Sequence, residues 1–155
     1  MRALRGLCAA ALVCALLCVH SAAASADGVA PVDAETFGTL VAASPDAWVL
    51  EFWSPRCGTC AEFAPLFADV ASRAGSRARF GAVDIDTPAG MALAEQLDVL
   101  SEGVPNVRAF VREGDGVGES VFTGWEVPPL AQLERSVEAA LERGKQLGGR
   151  VYKAP

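Results

Sequence analysis

Two cysteines, Cys57 and Cys60, are separated by two residues and follow the apolar run Trp48–Trp53. A turn separates the run from Cys57, and a helical pattern begins at the cysteines. Two thiols at this spacing, at the start of a helix that follows a buried strand, can act as a redox couple. The positive end of the helix would stabilise a thiolate at Cys57, and Arg56 adds a full positive charge beside it. The expected chemistry is therefore thiol–disulfide exchange.

Residues 1–26 are interpreted as a secretory signal peptide. Arg2 and Arg5 form a positive start, and residues 7–19 form an apolar stretch that is shorter than the ~20 residues of a membrane span. Ala24-Ser25-Ala26 is an A-x-A cleavage signature, although the cut could equally follow Ala24. An uncleaved signal anchor is the alternative. Cleavage would place the protein in the secretory pathway, without a membrane span.

Removal of this segment changes which chemistry the chain can support. Cys8, Cys14, Cys18 and the sole histidine, His20, would leave with it, and the formal net charge would move from −6 to −8. A tetrahedral zinc site needs about four ligands, mostly Cys and His, so we expect no metal site. Heme attachment through C-x-x-C-H is excluded because Ala61 follows the second cysteine. A dithiol/disulfide pair is the chemistry that remains.

The length of 155 residues suits one domain, and the acidic net charge argues against nucleic-acid binding.

The predicted elements follow the chain in order. Residues 27–31 are expected to be a flexible segment at the beginning of the domain. Asp33 is the expected N-cap of the first helix, and Thr87-Pro88 is the expected beginning of another. Strands are predicted at Trp48–Trp53, Arg79–Ile85, Val107–Val111 and Ser120–Phe122, the last two forming a hairpin, and further helices at Cys57–Ala74 and from Pro128-Pro129 onward.

The string Phe52-Trp53-x-x-x-Cys57-Gly58-x-Cys60, followed by Pro65, resembles the thioredoxin superfamily. The similarity is strongest to thioredoxins and to the thioredoxin domains of protein disulfide isomerases. Gly103-Val104-Pro105, before a strand, is a second point of resemblance. The resemblance covers residues 29–147, followed by a flexible tail at 148–155. It implies an α/β thioredoxin fold, a central mixed β-sheet flanked by helices in the order β-α-β-α-β-α-β-β-α.

The resemblance also implies roles for individual residues. Cys57 would attack a substrate disulfide, and the less exposed Cys60 would resolve the mixed disulfide. Val104–Pro105 should be a cis bond facing the dithiol, with the Val104 backbone pairing with an incoming peptide. Glu51 matches a buried acid that moves protons to and from Cys60, and burial would raise its pKa. The alternative for Glu51 is an exposed position at the edge of the sheet.

The sequence departs from the family pattern beside the dithiol. Thr59 stands where thioredoxins have proline and isomerases histidine, and Arg56 replaces the usual tryptophan. Trp53 and Gly58 complete the expected neighbours of the cysteines. The loop Trp125-Glu126-Val127 lacks the arginine of isomerases. Because of these changes, the sequence does not predict the direction of electron flow.

Three functions follow from these observations. The first is a disulfide isomerase-like thiol–disulfide oxidoreductase in the lumen of the endoplasmic reticulum (ER) or secreted, since no KDEL-like tail follows Tyr152. The second is a thioredoxin-like disulfide reductase in another exported or lumenal compartment. The third is a binding or chaperone module with a structural disulfide. We expect a monomer that needs no cofactor, acts on proteins with thiols or disulfides, and exchanges electrons with an ER oxidase or glutathione.

Overall fold

The computed structural model describes residues 28–75, 77–111 and 116–148. The predicted signal peptide and residues 149–155 of the predicted tail lie outside the described residues. The strands are β1 (Val29–Pro31), β2 (Trp48–Trp53), β3 (Arg79–Asp84), β4 (Asn106–Phe110) and β5 (Glu119–Thr123). The helices are α1 (Ala34–Phe37), which continues as a π-helical turn (Gly38–Ala42), α2 (Gly58–Ala74), α3 (Pro88–Gln96) and α4 (Leu130–Gln146).

The five strands form one mixed sheet in the order β1-β3-β2-β4-β5. Strands β1, β3 and β2 are parallel, whereas β4 is antiparallel to both β2 and β5. The parallel pairs require crossover connections, which α1 and α2 provide. This architecture confirms the predicted fold class, a mixed sheet flanked by helices, and it places β2 at the centre.

Alternating side chains of β2 enter two separate cores, because successive residues of a strand point to opposite faces of the sheet. Val49 packs in the cluster that contains Phe63 of α2 and Val137 of α4. Leu50 packs on the other face with Leu93 of α3. With both faces covered, β2 forms a rigid base for the residues that follow Trp53.

The sequence prediction was wrong at the beginning of the domain. Val29–Pro31 is an edge strand, not a flexible start, and it pairs with Phe80–Ala82 of β3. Three residues are too few to give an alternating pattern, and a proline is tolerated at a sheet edge. The predicted caps were correct, since the side chains of Asp33 and Thr87 accept backbone N–H groups of α1 and α3.

Helix α2 contains Pro65 and continues through it from Gly58 to Ala74. The ring of Phe63 stacks on that of Phe122 in β5, with centroids 5.0 Å apart. These contacts fix the helix above the sheet and so fix its N-terminal end.

Within the described residues, no helix is both long and apolar enough to cross a membrane.

Candidate active site

Cys57 and Cys60 form a disulfide at the N-terminal end of α2. Cys57 is the N-cap residue, and its sulfur accepts the backbone N–H of Cys60 at 3.1 Å. Cys60 is fully buried, whereas Cys57 is half-exposed. The free N–H groups of a helix N-terminus favour negative charge. Reduction would therefore leave an accessible thiol at Cys57, in a position that stabilises its thiolate.

Gly58 and Thr59 separate the two cysteines on the outer side of the helix. A Cβ built on Gly58 would meet no atom within 4 Å, and Thr59 is half-buried. Trp53, at the end of β2, is also half-buried. The surface next to Cys57 is thus open, so a polypeptide can approach its sulfur.

Arg56 is paired with an acid that the sequence did not suggest. Its Nε and Nη2 atoms donate to Oδ2 and Oδ1 of Asp86, each at 2.7 Å. The Ser54 hydroxyl also donates to Asp86, at 3.1 Å, and accepts the backbone N–H of Arg56. Asp86 follows β3, and Ser54 follows β2, so the parallel pairing of these strands brings the two turns together. The turn before Cys57 is therefore anchored to the neighbouring strand.

This pairing corrects the expectation that Arg56 adds a full positive charge beside Cys57. The hydrogen bond from Arg56 lowers the pKa of Asp86, and the same bond raises the pKa of Arg56. Both groups therefore stay ionised at neutral pH. A nearby carboxylate offsets much of the field of the guanidinium. The helix N-terminus is then the main local source of positive potential at the cysteine.

Val104 and Pro105 lie beside the disulfide, and the bond between them is cis, as the family resemblance implied. The carbonyl oxygen of Val104 is 3.8 Å from Sγ of Cys57. Pro105 is buried and Val104 half-buried. The backbone that precedes β4 therefore forms one wall of the site.

A polar network that the sequence did not predict supports this wall. Arg108 of β4 forms an ion pair with Glu102, with Nη2 and Oε1 2.9 Å apart, and its side chain is only 5% exposed. Asn106 donates to Glu102 at 3.0 Å and accepts from Arg108 at 3.2 Å. Arg108 also donates to the carbonyl of Val117. The loop before Val104 is thus tied to β4 and to the end of the β4–β5 connection.

Glu51 is buried in the central strand, two residues before β2 ends at Trp53, so the exposed-edge interpretation is wrong. Burial raises the pKa of its carboxyl from 4.5 to about 7. Within the described residues its Oε1 atom has no hydrogen-bond partner. The residue faces Ala82 of β3 and Val107 of β4, neither of which carries charge. An unpaired carboxyl of this kind can gain or lose a proton near neutral pH.

The described residues contain no group of three or more His, Cys, Asp or Glu side chains that could hold a metal ion. The chemistry that the described site offers is that of two sulfurs, a buried acid and a helix N-terminus.

Comparison with known proteins agrees with this geometry. The model of the family described as Thioredoxin matches residues 28–127, which include the disulfide, Glu51 and the cis-proline. The chain belongs to the thioredoxin family. It is thus a thioredoxin-type protein with a pair of cysteines that can form a disulfide.

Three relatives illustrate the similarity to this family. The "Protein disulfide isomerase-like 2-3" of Oryza sativa subsp. japonica is 33% identical over 107 residues, 66% of this chain and 23% of that protein. The "Protein disulfide-isomerase A6 homolog" of Drosophila melanogaster is 32% identical over 84 residues, 54% of this chain and 18% of that protein. The "Thioredoxin" of Mycolicibacterium smegmatis is 30% identical over 67 residues, 43% of this chain and 60% of that protein. The similar part thus covers less than a quarter of each isomerase-type relative.

Proposed function

We propose that this protein is a thiol–disulfide oxidoreductase of the secretory pathway that forms, reduces or isomerises disulfides in substrate proteins through Cys57 and Cys60. The observation that carries the proposal is the asymmetry of the pair. Cys57 is accessible at a helix N-terminus, whereas its partner Cys60 is fully buried. One sulfur can therefore meet a substrate while the other is reserved for the intramolecular step.

In the oxidising direction, a substrate thiolate attacks Sγ of Cys57. A bond forms between these two sulfurs, the Cys57–Cys60 bond breaks, and Cys60 leaves as a thiolate. A second substrate thiolate then attacks the substrate sulfur of the mixed disulfide, and Cys57 leaves as a thiolate. The substrate loses two electrons and the protein gains them. The reverse sequence reduces a substrate disulfide, so no cofactor is needed.

Glu51 is the proposed proton donor and acceptor for Cys60. Its carboxyl is buried in β2, the strand that leads to the dithiol, and its pKa of about 7 leaves both protonation states populated at neutral pH. In the oxidising direction it gives a proton to the leaving Cys60 thiolate. In the reducing direction it takes that proton back, which makes Cys60 a nucleophile.

Val104 is the proposed binding position for the substrate backbone. Its carbonyl oxygen lies 3.8 Å from Sγ of Cys57, and Pro105 holds the segment at the beginning of β4. An extended peptide that pairs with Val104 would add a strand beside the disulfide. The substrates are thus proteins that present a thiol or disulfide in an extended segment.

The experiment uses single cysteine variants expressed with the predicted signal peptide. Cys60→Ser should accumulate mixed disulfides with other proteins, because the resolving thiol is missing. Cys57→Ser is the matched control and should trap far less, because its remaining thiol is buried. Non-reducing electrophoresis of the secretory fraction measures both. Equal, low trapping by the two variants would contradict the proposal and favour a binding module with a structural disulfide.

A further inference from the structure

A cavity of about 440 Å³ lies between α2 and the sheet, on the β1 side of the site. Pockets of this size hold small organic molecules or single side chains. Most of its wall is apolar, and small residues of α2 leave the space open. The lining includes Pro31 of β1, Ala82 of β3, and Ala64, Phe67 and Ala68 of α2.

Among the described residues, three acids line the cavity, and they differ in their hydrogen bonds. Asp33, from the β1–α1 connection, uses Oδ1 to accept the backbone N–H groups of α1. Asp84, at the end of β3, uses Oδ1 to accept the backbone N–H of Asp86. Glu51, from β2, is only 4% exposed, and its Oε1 has no partner within the described residues. Glu51 is thus the buried acid of this lining that has an oxygen atom free to accept a hydrogen bond.

No basic side chain is present among the described residues that line this cavity. A buried carboxyl without a partner is costly, and an opposite charge in hydrogen-bond contact relieves that cost. The apolar wall would contact a hydrocarbon chain, and the acids at its rim would attract a cation. The missing partner is therefore a cation with an apolar body.

We propose that this cavity is a binding site for a primary ammonium group on an unbranched apolar chain, with the ammonium paired with Glu51 and the chain lying against Phe67 and the alanines of α2. A free alkylamine and the lysine side chain of a partner protein share this chemistry. The site is distinct from the Val104 wall, because it lies beneath α2 on the β1 side.

Binding of such a cation is coupled to the protonation of Glu51, because only the carboxylate attracts an ammonium. Its pKa of about 7 means that a proton competes with the ligand below that pH. The apparent dissociation constant should then rise about tenfold for each pH unit below 7 and be constant above it. Of the other acids that face the cavity, Asp33 has its pKa lowered by the hydrogen bond from Thr36, so it does not produce this dependence.

The test is a titration of the oxidised protein with n-butylamine, followed through the backbone amide signals of α2 and β3 by NMR. Saturable shifts at residues that line the cavity are expected, and n-butanol should bind at least about tenfold more weakly. Glu51→Gln should weaken n-butylamine to the same degree and abolish the dependence on pH. Glu62→Gln, on the exposed face of α2, is the matched control and should bind as the unaltered protein does.

A second variant tests the same site in case Glu51→Gln does not fold. Ala82→Leu keeps Glu51 and fills the cavity, so it should also prevent binding. Absence of saturable shifts with n-butylamine, or unchanged binding in either variant, would overturn the proposal. These measurements involve no electron transfer, so their outcome is independent of the trapping of mixed disulfides.

The two sources of the ammonium are distinguished by a parallel titration with N-acetyl-lysine methylamide. Binding of this compound with the dependence on pH described above would support a lysine of a partner protein. Binding of n-butylamine alone would support a free amine.

Discussion

Arg56 and Asp86 form a two-point ion pair directly before the accessible cysteine, with both N···O distances at 2.7 Å. The arginine side chain is 82% exposed, and the aspartate side chain is 19% exposed. The pair joins the turn after β2 to the turn after β3, and Ser54 bonds to both residues. It thus governs both the position of Cys57 and the charge that surrounds it.

Replacing one partner of this pair should shift the reduction potential of the disulfide. Asp86→Asn removes the negative charge and leaves Arg56 uncompensated, which favours the Cys57 thiolate and so stabilises the reduced form. The couple should become more oxidising by roughly 10 mV in low salt. Arg56→Met should move the potential in the opposite direction. Equilibration of each variant with glutathione measures the potential.

The double variant Arg56→Met/Asp86→Asn is the control, and its potential should lie close to that of the unaltered protein. Both shifts should shrink as salt is added, because the Arg56 side chain is exposed to solvent and ions screen its charge. Single variants that shift the potential in the same direction would mean that the pair acts by holding the turn rather than through charge.

The buried acid should make the stability of the fold depend on pH. Burial raises the pKa of Glu51 from 4.5 to about 7, so between these values the folded protein holds a proton that the unfolded chain has released. The free energy of unfolding should therefore fall as the pH rises through this range, by up to about 3 kcal/mol. Glu51→Gln should remove this loss. The variant should be more stable at about pH 8 and similar at about pH 4.

Urea unfolding at a series of pH values measures this difference. Glu62→Gln, the same substitution on the exposed face of α2, should leave the curve unchanged. A Glu51→Gln variant that is less stable than the unaltered protein at high pH would show that the carboxylate has a favourable partner, which contradicts an unpaired acid.

The network around Arg108 should contribute to stability more than a surface ion pair does. Arg108→Met removes the ion pair with Glu102 and the hydrogen bond to Asn106, and it should cost about 2 kcal/mol in the free energy of unfolding. Arg77→Met is the matched control. Arg77 pairs with Glu138 at 2.9 Å, but both side chains are more than 40% exposed, so the cost should be below about 1 kcal/mol. Equal costs in urea unfolding would contradict a structural role for the buried network.

The features that lie within one stretch of chain were predictable from the sequence. The apolar run Trp48–Trp53 is β2, and the helix after Cys57 spans Gly58–Ala74. Local patterns are sufficient there, because hydrophobic runs, turns and helix starts depend on neighbouring residues. The cis bond before Pro105 was predicted by resemblance to the family, since a proline before a strand says nothing by itself about its isomer.

The features that join distant parts of the chain were not predictable. Asp86 is 30 residues from Arg56, and only the register of β2 against β3 brings their turns together. The bonds of Arg108 with Glu102 and Asn106 likewise depend on how the loop folds back on β4. The order implied by the family resemblance begins with a strand, but its residues, Val29–Pro31, were not recognised because three residues show no pattern until they pair with β3. Local sequence patterns do not indicate which distant residues the fold brings into contact.

The central claim is that Cys57 and Cys60 are a redox couple, and their equilibrium with glutathione tests it most directly. We predict a potential between about −180 mV, as in disulfide isomerase, and about −270 mV, as in thioredoxin. The upper end would indicate formation or isomerisation of disulfides, and the lower end their reduction. A potential well below about −300 mV would contradict the account and leave a structural disulfide.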